Sequence, residues 1–143
     1  MKEKNAMTVQ VLVLHNDKER RQRFCKWLAD AGYEVDELPA PVEEQLGQLL
    51  SRSVRVVVVD VNVLKDMGVK CLGHMINTSP VVRKVVVGSL PSLGFLAKCL
   101  EYGVDDFVPE PEDSPKKLIE AVQRALERIE RWTEIARNRS GSA

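Results

Sequence analysis

Residues 54–62, VRVVVVDVN, are the stretch of sequence that decides the fold of this chain. Five valines surround a single arginine and lead to Asp60, which Val61 and Asn62 follow. A nearly continuous β-branched run is typical of a strand that is buried on both faces of a sheet, whereas a half-exposed strand alternates apolar and polar residues. Asp60 is therefore a lone carboxylate at the end of a buried strand, where it is a candidate for chemistry.

The composition restricts the classes of protein to which the chain can belong. Its 143 residues fit one domain, and 21 basic residues balance 21 acidic residues. We therefore expect no direct contact with nucleic acid and no attraction to an anionic membrane. An apolar stretch of about 20 residues is absent from the sequence, and MKEKNAM leads straight into a strand-like segment, so we expect a cytoplasmic protein.

Short β-branched runs alternate with amphipathic segments along the whole chain. The predicted strands are 9–14, 34–38, 54–60, 84–89 and 105–108. The predicted helices are 18–31, 41–52, 66–77, 92–102 and 114–137. Strict alternation predicts an α/β fold, a single (βα)5 unit whose doubly wound, five-stranded sheet is parallel and covered on both faces.

Polar residues follow the predicted strands at the point where each strand ends. In open parallel sheets, ligands bind beyond the carboxyl ends of the strands, where the strand order reverses. Cys71 and His74 have the spacing of a zinc pair, but no second pair follows, so a zinc site is not expected. The candidate site is formed by the residues after the strands, which are His15, Asn16, Asp17, Asp60, Asn62, Ser89 and Glu110.

These motifs, in this order, resemble the receiver domain of bacterial two-component response regulators over residues 8–130. Segment 103–111, GVDDFVPEP, is similar to the family's GADDYLxKP. The resemblance implies a flavodoxin-like strand order 2-1-3-4-5, a phosphoacceptor at Asp60, phosphate contacts at Ser89 and Glu110, and a switch aromatic at Phe107. The magnesium positions that it implies are Asn16, Asp17, Asp60 and Asn62.

The departures from the family pattern predict an impaired phosphorylation site. His15 and Asn16 stand where the family has its acidic pair, and Glu110 replaces the lysine that pairs with the phosphoryl aspartate. Magnesium requires hard oxygen ligands, so we expect no cofactor, with weak Mg²⁺ binding at most. Asp17 is more readily interpreted as the N-cap of the first helix than as a ligand.

We therefore expect an atypical receiver module in signal transduction that works by protein–protein contact. Its partner would be a sensor kinase of a phosphorelay, or an output domain that regulates transcription. Two alternatives stay open, namely a phosphorylatable receiver that uses Asp60 with weakened Mg²⁺ dependence and a flavodoxin-like module that binds a small ligand. We expect no enzyme, because Ser89 has no evident base and the sequence has no Gly-rich phosphate loop.

The last predicted helix is longer than is needed to cover the sheet. Its apolar residues recur at alternating spacings of four and three, which is the pattern of a heptad seam. We predict a homodimer whose seam contains Ile129, Trp132 and Ala136, and we assign residues 131–143 to an extension of this helix with a flexible tail from Asn138.

Overall fold

The computed structural model describes residues 10–39, 54–78, 81–109 and 115–141 of the chain. The helix predicted at 41–52 and the site position Glu110 lie outside these described residues. Within the described ranges, no helix combines the length and the apolarity that crossing a membrane requires.

Five short strands form one sheet: β1 (Val11–Leu14), β2 (Val35–Leu38), β3 (Val56–Asp60), β4 (Arg83–Val87) and β5 (Asp106–Val108). All pairings are parallel, and the order across the sheet is β2-β1-β3-β4-β5. The predicted fold class and strand order are therefore confirmed. The strand ends differ from the predicted runs by one or two residues.

The described helices are α1 (Lys18–Asp30), α2 (Val61–Met67), α3 (Lys70–Thr78), α4 (Leu93–Glu101) and α5 (Pro115–Gly141). The prediction of one helix at 66–77 is wrong, because two helices occupy this region. α2 begins directly after Asp60, and Gly68 separates it from α3 with φ +85°. A left-handed residue interrupts the helical hydrogen bonds, and glycine adopts this conformation without steric strain.

The valines of β3 face two separate hydrophobic clusters. Val56 and Val58 pack with α1 and α5 on one face, whereas Val57 and Val59 pack with α2, α3 and α4 on the other. All four side chains are fully buried. Burial on both faces explains why the run shows no polar alternation.

The register of the sheet brings three loops to one edge. Asp60 lies beside Val87 of β4, and Val59 lies beside Leu14 of β1. The residues that follow β1 and β4, His15 and Gly88, therefore lie on either side of the Asp60 carboxylate. This edge is the carboxyl end of the sheet, where a ligand site is expected.

α5 is 27 residues long and extends beyond the sheet that it covers. Ile129 is its last buried side chain, with 7% of its surface exposed, and the side chains of 131–138 are exposed. The helix continues to Gly141, so the tail predicted from Asn138 is helical for its first four residues. Neither proline nor glycine interrupts the sequence between Pro115 and Gly141, so no helix breaker ends it earlier.

Lys84 is a charged residue buried in the sheet, with 3% of its surface exposed. Its ammonium nitrogen Nζ donates a hydrogen bond to the Val82 carbonyl oxygen at 3.2 Å, and its backbone N–H donates to Asp105 Oδ2 at 2.8 Å. Burial lowers the pKa of Lys84, although the Asp105 carboxylate opposes this shift. The folded state therefore binds the Lys84 proton less tightly than the unfolded chain does.

We expect Lys84→Met to change the pH dependence of stability. As the pH rises from the lowered folded pKa of Lys84 to about 10.5, its unfolded value, the unfolded chain retains the proton that the folded protein has lost. The native free energy of unfolding gains a positive contribution in this window, at most about 1.4 kcal/mol per pH unit, which the variant lacks. Urea denaturation of both proteins at several pH values measures the difference.

Lys98→Met, at an exposed position of α4, is the matched control. Native protein and variants share the buried thiols, including Cys71, whose pKa burial raises to about 11, so thiol titration cancels in the comparison. The same pH dependence in both variants would contradict the assignment to Lys84.

Candidate functional site

A cavity of about 200 Å³ lies at the carboxyl end of β1, β3 and β4. It contains four of the predicted site residues, His15, Asp60, Asn62 and Ser89. Asn16 and Asp17 do not line it. The residues that line the cavity are His15, Arg20, Asp60, Val61, Asn62, Gly88 and Ser89.

Both oxygens of the Asp60 carboxylate have neighbours within the protein. Oδ2 accepts a hydrogen bond from the backbone N–H of Asn62 at 3.0 Å, so Asp60 caps the start of α2. Oδ1 lies 3.5 Å from Nε2 of His15. Only 5% of the surface of Asp60 is exposed. The carboxylate is therefore a buried, positioned group rather than a solvated strand end.

His15 presents a hydrogen-bond donor to this carboxylate. Its Nδ1 accepts a hydrogen bond from the backbone N–H of Asp17 at 3.0 Å, which places the proton of the neutral ring on Nε2, facing Asp60. Burial lowers the pKa of His15, while the Asp60 carboxylate opposes this shift. A neutral imidazole N–H therefore stands beside Asp60, at the position where the family resemblance implies an acidic residue.

Contacts from α1 and β2 hold His15 in place. Phe24 meets the imidazole edge-on, with ring centroids 5.4 Å apart and an interplanar angle of 67°. Arg21 donates to the His15 carbonyl oxygen at 2.9 Å through Nη1 and to Glu37 Oε1 at 2.8 Å through Nε. Because these contacts hold both the backbone and the ring of His15, the fold itself fixes the orientation of Nε2 toward Asp60.

Gly88 allows the backbone after β4 to approach Asp60 closely. Its φ is +107°, and a Cβ atom at this position would lie 3.0 Å from Asp60 Oδ1. Both the left-handed backbone and the short distance require glycine here. The Asp60 carboxylate is thus enclosed by His15 on one side and Gly88 on the other.

Asn16 and Asp17 have partners outside the cavity. Asn16 Nδ2 donates to Asp66 Oδ2 at 2.9 Å. Asp17 Oδ1 accepts the backbone N–H of Arg20 at 3.0 Å, and this hydrogen bond lowers the pKa of Asp17. Asp17 is therefore the N-cap of α1, as the sequence predicts.

The cavity residues do not fit a bound Mg²⁺ ion. Asp60 is the one carboxylate among them, His15 points an N–H toward it, and Arg20 adds a positive charge. Magnesium requires several hard oxygen ligands in octahedral geometry, and a neighbouring guanidinium repels it. Within the described residues, no group of three histidine, cysteine or acidic side chains forms a metal cluster.

Ser89 and Phe107 differ in their surroundings. Ser89 is exposed at the cavity, where its side chain is accessible to a ligand. Phe107 is half-buried and packs against the cluster beneath α3 and α4. Its role as a switch aromatic stays a prediction, as does the role of Glu110, which lies outside the described residues.

Sequence reasoning missed Arg20, and it placed Gly88 just past a strand without predicting its close approach to Asp60. Arg20 reaches the cavity because it lies in the first turn of α1, three residues after the Asp17 cap, and this spacing was a usable signal. Gly88 directly precedes Ser89 at a strand end, where glycine often marks a close backbone approach.

Two of the solved structures to which this arrangement of strands and helices is similar are receiver domains. A CheY-like receiver domain protein from Methanospirillum hungatei matches with a TM-score of 0.75 and 22% identity, over 87% of this chain and 98% of its own. The signal receiver domain of an HD domain-containing protein from Pseudomonas fluorescens matches with a TM-score of 0.74 and 20% identity, over 93% of this chain and 97% of its own. The chain has the receiver fold.

NtrX from Brucella abortus, solved in complex with ADP, has a TM-score of 0.79 and 21% identity over 92% of this chain. The chain spans 29% of the length of NtrX. No protein-family model matches the sequence, and no curated protein sequence matches it. At these identities the likeness confirms the receiver resemblance at the level of the fold.

We expect Gly88→Ala to destabilise the protein by about 1–3 kcal/mol, because the new methyl group meets Asp60 Oδ1 and the backbone must keep a left-handed φ. Urea denaturation measures the change in the free energy of unfolding. Gly94→Ala is the matched control, since a Cβ there meets only Ser92 Oγ at 3.7 Å, and we expect equal or higher stability. Equal losses in both variants would contradict the enclosure of Asp60 by Gly88.

Proposed function

We propose that this chain is an atypical receiver module of a cytoplasmic signalling pathway, a binding module rather than an enzyme. It acts through contacts with an output domain that regulates transcription, or with a sensor kinase, and not by accepting a phosphoryl group. The observation that carries the proposal is the contact between His15 Nε2 and Asp60 Oδ1, 3.5 Å apart at the end of β3. A donor N–H occupies the place where a metal-binding acid would be required.

The residues that line the cavity support impaired phosphorylation. Phosphoryl transfer depends on metal ions and cations that neutralise the phosphoryl oxygens. The cavity offers one carboxylate and a neutral imidazole in place of a magnesium ligand set.

The second candidate is a receiver that is still phosphorylated on Asp60 with weakened Mg²⁺ dependence. It is favoured by Ser89, which is exposed across the same cavity, and by Arg20, a cation able to contact a phosphoryl oxygen. A flavodoxin-like ligand module is less well supported, because about 200 Å³ is smaller than the cavities of roughly 300–1,000 Å³ that hold cofactor-sized ligands.

Contact through α5 is the other part of the proposal. Trp132 is 59% exposed, and Ala136 is exposed, so both are available to a partner. Ile129 is buried within the domain, which leaves two of the three predicted seam residues for an intermolecular contact. Dimerisation through this seam stays a prediction.

We expect no phosphoryl adduct after incubation with Mg²⁺ and acetyl phosphate, measured by intact mass. Asp60→Asn is the control that identifies the acceptor. A stoichiometric mass gain of one phosphoryl group, absent from Asp60→Asn, establishes the second candidate and overturns the first.

We expect His15→Asp combined with Asn16→Asp and Glu110→Lys to restore Mg²⁺ binding. The carboxylate added at position 15 lies beside Asp60 in the cavity, and the one at position 16 follows it in the chain, so repulsion among these carboxylates lowers stability until a divalent cation neutralises it. Saturating Mg²⁺ should therefore raise the melting temperature of the triple variant by several degrees and leave that of the native protein unchanged. Glu110→Lys alone is the control, and an equal shift in the native protein would show that His15 does not prevent metal binding.

A further inference from the structure

An exposed apolar surface lies at the end of the molecule opposite the Asp60 cavity. Val81, Trp132 and Ile135 are exposed by 60%, 59% and 44%. Two depressions, of about 360 and 480 Å³, share Arg83 and Trp132 in their walls, so they adjoin each other. We call this surface the α5 groove; it is formed by Val81, Arg83, Arg128, Arg131, Trp132 and Ile135.

The α5 groove carries an excess of positive charge. Arg83 Nη1 and Arg128 Nη1 both contact Asp105 Oδ1, at 3.1 and 3.3 Å, so two guanidinium groups share one carboxylate. Arg131 forms no ion pair or hydrogen bond within the described part of the chain. The three arginines therefore surround an exposed tryptophan and have a single acid among them.

One donor in the groove also lacks an acceptor. Arg83 Nε is a buried side-chain atom without a hydrogen-bond partner among the described residues. A buried donor that stays unpaired costs free energy, typically about 1–3 kcal/mol. Guanidinium groups pair best with carboxylates, because the two planar groups form parallel hydrogen bonds.

The charges disfavour a second copy of the chain in this groove. In an antiparallel two-fold pair of α5 helices centred on Trp132, the flank that carries Arg128 and Arg131 meets the same flank of the other copy, and like charges repel. By helical periodicity, Glu130 and Glu134 lie on the opposite side of α5, where they line a different depression with Arg55. Glu127 lies one turn before Arg131, but it does not line the groove, and its Oε1 accepts a hydrogen bond from Gln123 at 3.4 Å. One further acid beside three arginines still leaves the groove with an excess of positive charge.

We propose that the α5 groove binds an acidic, amphipathic segment of a partner protein. An apolar side chain of the segment packs on Trp132 and Val81, while its carboxylates pair with Arg83 and Arg131. Such a segment supplies the acceptors and the apolar area that the groove lacks. The proposal rests on the proposed function only in treating the chain as a module that acts by protein contact, and it does not depend on the state of Asp60.

The test selects binders for the native chain from a phage-displayed library of random peptides of about 16 residues, long enough as a helix to span about 24 Å. We expect the enriched peptides to combine glutamate or aspartate with a large apolar residue. The most enriched peptide is then synthesised and titrated by fluorescence anisotropy. Arg131→Gln and Trp132→Gln should each weaken its binding by about tenfold or more.

Arg137→Gln is the matched control, because it removes the same charge from the same helix but lies in the other depression, and it should change affinity by about twofold at most. The substituted residues are exposed, so loss of folding is not expected, and circular dichroism checks it. Enriched peptides without acidic residues, or equal losses in Arg131→Gln and Arg137→Gln, overturn the proposal.

Parallel measurements test two other possible occupants of the α5 groove, a second copy of the chain and a membrane surface. Sedimentation at tens of micromolar should show a monomer; a dimer that Trp132→Gln dissociates assigns the groove to a second copy instead. Vesicles that contain phosphatidylglycerol should not bind the chain, and Arg131-dependent binding to them without peptide selection assigns the groove to a membrane surface. A phosphoryl adduct on Asp60 would overturn the proposed function and leave these outcomes unchanged.

Discussion

The burial of β3 on both faces is the constraint on which the rest of the structure depends. Val56 to Val59 fill two hydrophobic clusters at once, so the strand must run through the centre of the sheet between β1 and β4. Asp60 then stands at the end of the central strand, with the loops after β1 and β4 on either side. The position of the candidate site thus follows from the burial of the β3 valines at the centre of the sheet.

At that edge, His15 shapes the surroundings of the Asp60 carboxylate. His15 is fixed by the Asp17 backbone, by Phe24 and by Arg21, and it offers Asp60 a neutral donor. A donor stabilises a carboxylate without the several oxygen ligands that a divalent cation requires. The receiver fold here therefore places a neutral imidazole N–H beside Asp60, with Nε2 3.5 Å from Oδ1.

Much of this structure could be predicted from the sequence, for definite physical reasons. The valine run specified β3, and the alternation of elements specified a parallel sheet. Asp17 could be recognised as a cap because its side chain accepts a hydrogen bond from a backbone N–H only three residues further along the chain, that of Arg20. Local patterns of this kind depend only on residues that are close in the chain, so they can be recognised in the sequence without knowledge of the fold.

Other features depend on tertiary contacts, and these the sequence did not reveal. The start of α2 at Val61 was missed because the helix is a single short stretch ended by Gly68. The direction of His15 Nε2 depends on Phe24 and on a backbone N–H, and the meeting of Arg83 with Trp132 joins positions far apart in the chain. Glu110 lies outside the described residues, so its part in the site is inferred from the sequence alone.

The unbroken course of α5 has a mechanical consequence. Arg124 and Arg128 tie the helix to β5 through Asp106 and Asp105, at 2.6 and 3.3 Å, shortly before it leaves the sheet. Beyond Ile129 the helix continues as a lever about 18 Å long, so that a tilt of about 10° at the sheet moves its far end by about 3 Å. A small change in the angle at which the helix lies on the sheet is therefore amplified at its far end.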